Sequence, residues 1–197
     1  MPMLRQLKDD ARDFPATMTL GALWVAVFLL MTADQVVRGG GFSPGGLLIG
    51  LHNGHRFGDL TLAELYAGEV WRLVTSTFVH FGILHIALNL YALYQLGCLV
   101  ESWYGAGAFV GIYVLTGGGG NLLSGVIRHL LRSNPLVQSG GGSTVIMGLV
   151  ALVAVVGWRA RTRGGEFLAR QMGWVLALTA ALGVGLSAAG LPVIDNW

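Results

Sequence analysis

Apolar residues gather in five long runs, separated by polar or glycine-rich links. A helix needs about 20 mostly apolar residues to cross a hydrocarbon core. The runs predict spanning helices over Thr19–Val37, Val74–Val100, Phe109–Leu131, Ser143–Trp158 and Met172–Ala189. The longest link runs from Arg38 to about Leu73. It mixes Gly39, Gly40, Gly41 and Pro44 with His52, His55, Asp59, Glu64 and Glu69, and holds an apolar stretch, Leu47-Leu48-Ile49. Such a loop can sit partly in the membrane interface. No internal repeat or low-complexity linker divides the chain. The expected fold is all-α: a polytopic transmembrane bundle over 19–197 behind a short cytoplasmic lead over 1–18.

Composition agrees. Of 197 residues, 54% are hydrophobic and only 11% charged, where soluble domains carry about 25%. Mean hydropathy is +0.65. So little charge could not cover a water-exposed surface, so the chain is expected in a cell membrane, multi-pass, with the lipid bilayer as its first partner. Eleven of the 12 basic residues are arginines, scattered without a basic stripe, which leaves nucleic-acid binding no footprint. The single Cys98 excludes a disulfide within the chain.

Charge also orients the helices. The link before the fifth run carries Arg159, Arg161, Arg163 and Arg170 against Glu166, which marks it as cytoplasmic. Four crossings precede it, so the N-terminus, with Arg5, Lys8 and Arg12, falls on the same side. Ser143 then opens the fourth helix near the outer face.

Polar groups inside membrane helices are costly, about 2.5–3.5 kcal/mol for a charged one. The second run contains His80, His85 and Asn89. The last two are one helical turn apart and share a face. They could donate hydrogen bonds in a dry site or bridge two helices. The fourth helix opens Gly140-Gly141-Gly142-Ser143. Glycines there allow close backbone approach, and a helix N-terminus favours an anion such as an oxyanion. A glycine turn with a serine cap reads equally well. The run Thr116 to Asn121, with four glycines between, reads as a close helix contact. His52 and His55 are three apart on a loop without an evident third ligand, so no metal and no organic cofactor are expected.

Together these pieces resemble the rhomboid family from about Trp71 onward. Trp71-Arg72 is similar to its Trp-Arg pair in the first loop. His80, His85 and Asn89 fit its His, four residues, His, three residues, Asn pattern. Gly141-Gly142-Ser143, with Gly148 beyond, fits its Gly-x-Ser signature. The resemblance implies six spanning helices, of which five are present here. It also implies an intramembrane serine endopeptidase that cleaves transmembrane segments of protein substrates by a Ser–His dyad. In that scheme Ser143 is the nucleophile, His85 and Asn89 stabilise the oxyanion, and His80, Arg72, Gly141 and Gly142 support them.

Two positions depart from the family pattern. Thr144 stands where the family mostly has glycine, and could narrow the oxyanion site or shift helix packing. The general base, a histidine commonly introduced by Asn-x-Ala-His on the sixth helix, is absent; the sequence stops at Asn196-Trp197. The resemblance therefore implies a protease truncated before its catalytic His and inactive as given. The alternative is a catalytically inactive relative that binds membrane segments. An unrelated transporter using His80, His85 and Asn89 as a proton path is a third reading, but no symmetry between two halves supports it. Substrate identity and oligomeric state are not encoded in any motif.

Overall fold

The computed structural model describes residues 9–38 and 51–188, the last seven by backbone course alone. The expected features at Arg5, Lys8, Gly39 to Ile49 and Asn196-Trp197 lie outside the described residues.

The described chain is helical. α1 is Pro15–Val37. After it come a short turn at Gly54–Phe57, then α2, Leu62–Tyr66, and α3, Arg72–Thr75. Three long helices follow: α4, Ile83–Tyr104; α5, Ala106–Leu130; and α6, Ser143–Ala160. α7 is Arg163–Ala188. Among the described residues, α1, α4, α5 and α6 are long and apolar enough to cross a membrane. α7 is not among them. It begins nine residues earlier than the expected fifth span, at Arg163, because the Thr162 hydroxyl caps it by accepting from the Gly165 N–H at 3.0 Å. Its charged first turns hold Arg163, Glu166 and Arg170, and its apolar stretch runs to the edge of the described residues. Among the described residues four candidate spans are thus found, and the expected fifth is not confirmed.

The second span is also shorter than expected. Val74 to Phe78 belong to short helical turns, and Val79 and Gly82 are extended, with Gly82 at φ −173° and ψ 164°. The helix starts only at Ile83, which leaves His80 on the connection before α4 rather than on it.

Many large apolar residues face outward, among them Leu29, Leu88, Tyr91 and Leu115, as lipid contact requires. The interior is built on Trp24 and Met31 of α1, Leu93 and Val100 of α4, Phe109 and Tyr113 of α5, and Val145, Leu149 and Val153 of α6. Lipid tails are as apolar as these side chains, so close packing and polar bonds hold such helices together. The bonds are specific. Trp24 Nε1 donates to Tyr113 Oη at 2.8 Å, and Tyr113 Oη meets Thr77 Oγ1 at 3.0 Å. Asn121 Nδ2 donates to Leu73 O and Ser76 Oγ at 2.8 and 2.9 Å, tying α5 to the α3 segment.

Glu101 is a further such tie. Its buried carboxylate accepts from Ala16 N at 2.9 Å, and from Thr17 N and Thr17 Oγ1 at 2.7 Å each. It thus caps α1 from the end of α4. Hydrogen bonds to a charged group contribute about 1.5–3 kcal/mol. Glu101→Ala is therefore expected to lose on the order of 3 kcal/mol in detergent unfolding, and Glu101→Gln to recover part of it. A loss within ~0.5 kcal/mol, the usual range for a surface change, would show that the cap contributes little.

Candidate functional site

The site lies where the N-terminus of α6 meets the start of α4. Gly141 has φ +122°, a conformation that favours glycine, and its N–H donates to Ser76 O at 2.8 Å. A Cβ on Gly141 would lie 2.6 Å from His85 Nε2 and 3.6 Å from Asn89 Nδ2. A Cβ on Gly142 would enter the indole of Trp24. These glycines let the α6 entrance settle against Trp24, His85 and Asn89.

His80 is fully buried. Its Nε2 accepts the Gly142 N–H at 3.3 Å and its Nδ1 meets Phe78 O at 3.2 Å. One neutral tautomer, with the proton on Nδ1, satisfies both contacts. Its ring lies 5.0 Å from Trp24 and 5.1 Å from His85. Asn89 Nδ2 and His85 Nε2 are buried and make no hydrogen bond. Two orphaned nitrogens side by side at a helix N-terminus can receive an acceptor oxygen.

Thr144 is accommodated by α5: a Cβ on Gly120 would lie 3.2 Å from Thr144 Cβ. The glycine run on α5 thus receives the β-branched side chain. Gly117 similarly faces Val145 and Thr77. Arg72 sits elsewhere, in the first loop. Its Nε donates to Glu69 Oε2 at 2.6 Å, and its Nη1 to His55 O at 3.1 Å and Asp59 O at 2.9 Å. That loop is joined to the α6 entrance by a two-bond pairing of Leu60 with Ser139, each bond 2.8 Å. Trp24 has no signature in the sequence, because a tryptophan in an apolar run looks like any other lipid-facing or core residue.

A family model described as Rhomboid domain matches residues 67–197. RHOMBOID-like protein 9, chloroplastic, of Arabidopsis thaliana is 36% identical over 140 residues, covering 71% of this chain and 30% of that protein. Rhomboid protease GluP of Bacillus subtilis is 31% identical over 151 residues, 76% of this chain and 27% of that protein. Rhomboid protease GlpG of Klebsiella pneumoniae is 33% identical over 133 residues, 62% and 45%. The matched region spans less than half the length of each of these relatives.

The expected serine endopeptidase with a Ser–His dyad is not supported. A general base must lie within hydrogen-bond reach of the hydroxyl it activates. All five histidines of the chain fall among the described residues, and none hydrogen-bonds to Ser143. His80 is held by Gly142 and Phe78. His85 faces Gly141. His55 contacts Glu64, and His129 bonds Tyr66 at 2.7 Å. His52 lies exposed on the first loop. The chain resembles rhomboid serine proteases, and no histidine among the described residues stands as a base for Ser143.

Proposed function

Because the chain belongs to the rhomboid family, we propose that it acts as a multi-pass membrane protein that binds transmembrane segments of other membrane proteins without cleaving them. The observation that carries this reading is the orphaned pair, Asn89 Nδ2 and His85 Nε2, beside Gly141 and without a base at Ser143. An unpaired carbonyl in hydrocarbon is costly. A segment whose helix is broken by Gly or Pro offers one, and this pair would receive it. In this reading α7 completes a fifth span, and the N-terminus and the arginines around Arg161 face the cytoplasm.

The test uses the chain in nanodiscs with two labelled transmembrane peptides, one uninterrupted poly-leucine and one with a central Gly-Pro break. The broken peptide is expected to bind more tightly and to remain intact by mass spectrometry. Asn89→Ala is expected to weaken its binding about tenfold, the loss of one hydrogen bond in a dry site. Equal binding by Asn89→Ala, or cleavage that depends on Ser143, would overturn the proposal.

A further inference from the structure

The first loop brings together three side chains that the sequence left scattered. One nitrogen of His55 and one carboxylate oxygen each of Asp59 and Glu64 lie within 4.8 Å of one another. His52, the other histidine of that loop, is not in the cluster. The local folding explains the convergence. The turn at Gly54–Phe57 closes with Gly58 at φ +91°, which returns the chain so that Asp59 faces back toward His55. Thr61 then caps α2 in a reciprocal box: its N–H donates to Glu64 Oε2 at 2.8 Å, while Glu64 N donates to Thr61 Oγ1. That bond holds one oxygen of Glu64 and points the other, Oε1, into the cluster.

The cluster carries more acceptor capacity than the protein uses. Asp59 is 0% exposed, and neither of its carboxylate oxygens accepts a hydrogen bond. Glu64 is 7% exposed, and its Oε1 accepts none either. His55 Nδ1 lies 2.5 Å from that oxygen, and Arg72 Nη1 lies 3.2 Å from it. Arg72 does not resolve the deficit. Its Nη1 hydrogens go to the His55 and Asp59 carbonyls, its Nε to Glu69, and it comes no nearer than 3.8 Å to Asp59 Oδ1. One guanidinium charge is thus shared among Glu69, Glu64 and Asp59, and the two buried carboxylates keep oxygens that accept no hydrogen bond. A buried carboxylate without partners is costly, and a divalent cation would neutralise the two.

We propose that His55, Asp59 and Glu64 bind a zinc-class divalent metal ion, with solvent at the open position beside His55. One imidazole nitrogen and two carboxylate oxygens suit such an ion, at about 2.0–2.2 Å from each ligand. The His55 side chain is 64% exposed, which gives the ion an entry path. Asp59 precedes Leu60, whose backbone pairs with Ser139 just ahead of Gly140 to Gly142. The ion therefore braces the part of the first loop whose Leu60 pairs with the segment that delivers α6. This inference stands apart from segment binding at Asn89 and His85.

The test strips the detergent-solubilised full chain with chelator, reloads it with zinc chloride, desalts it and counts zinc by mass spectrometry. One zinc per chain is expected, with a rise in melting temperature that chelator reverses. His55→Ala, at an exposed side chain, and Asp59→Asn are each expected to weaken zinc binding by about tenfold or more, since even outer-shell partners are worth 10–100-fold. His52→Ala should keep the zinc. Failure to retain zinc overturns the proposal. So does retention unchanged by both His55→Ala and Asp59→Asn, or loss on His52→Ala equal to that on His55→Ala, which would mark surface-histidine binding only.

Discussion

Trp24→Ala is expected to destabilise the protein by about 3–5 kcal/mol, the range for deleting a large buried aromatic. Trp24 is 0% exposed, and its ring occupies the space that Gly142 leaves for it. No lipid tail reaches that position, so the removed ring leaves a void whose walls lose their dispersion contacts outright. The same change removes the 2.8 Å bond to Tyr113 Oη and the ring contact with His80. Trp24→Phe separates the two losses. It keeps much of the aromatic volume and removes the indole N–H, for an expected cost of about 1 kcal/mol on hydrogen-bond grounds, plus whatever the smaller ring fails to fill. Both variants can be followed by thermal unfolding in mild detergent. A Trp24→Ala loss below ~1 kcal/mol would mean that the α6 entrance is held in place without the indole.

The apolar runs made the long helices legible, and their ends were legible only where a local signal stood in the sequence. Ser143 was identified as the first residue of α6 because three glycines precede it. The start of α4 was placed nine residues early, since Val74, Phe78 and Val79 carry the apolar run across the uncharged Thr75-Ser76-Thr77 toward the helix. What breaks the helix there is the extended backbone at Val79 and Gly82, held by tertiary contacts such as the Leu51 N–H to Phe81 O bond at 2.7 Å. Hydropathy does not register such a constraint. α7 shows the reverse error: Arg163, Glu166 and Arg170 looked like a link, yet Thr162 supplies a cap and the helix runs through them.

The site follows the same division. His85 and Asn89 could be placed on one helical face from their spacing, and the structure sets both beside Gly141. Trp24 and the Asp59–Glu64 pair could not be found this way. Trp24 meets Gly142 across 118 positions of chain, and His55 gains its two carboxylate neighbours only through the turn at Gly58. These are long-range or turn-dependent contacts without periodic signatures. The expected dyad failed for a different reason: the resemblance carried a residue role for which the five histidines of this sequence provide no occupant.

Arg72→Leu is expected to be nearly as damaging as Trp24→Ala, again about 3–5 kcal/mol, because it removes one partner from a buried ion network. Arg72 is 8% exposed. Its guanidinium faces Glu69 at 2.6 Å and Glu64 at 3.2 Å, and it holds the backbone carbonyls of His55 and Asp59. Without it, three carboxylates share one surface histidine, and two loop carbonyls lose their donor. Arg72→Lys keeps the charge, but a compact ammonium cannot reach both carbonyls and Glu69 at once. It is expected to fall between wild type and Arg72→Leu. Unfolding should be measured with chelator present, so that no cation substitutes for the lost charge. Amide exchange should be measured over residues 54–72 and 139–142, because the Leu60–Ser139 pairing links those segments. If Arg72→Leu costs less than ~1 kcal/mol, the network behaves like a solvent-screened surface pair. If exchange rises in residues 54–72 while residues 139–142 stay protected, the loop and the α6 entrance move independently, and the pairing between them transmits nothing.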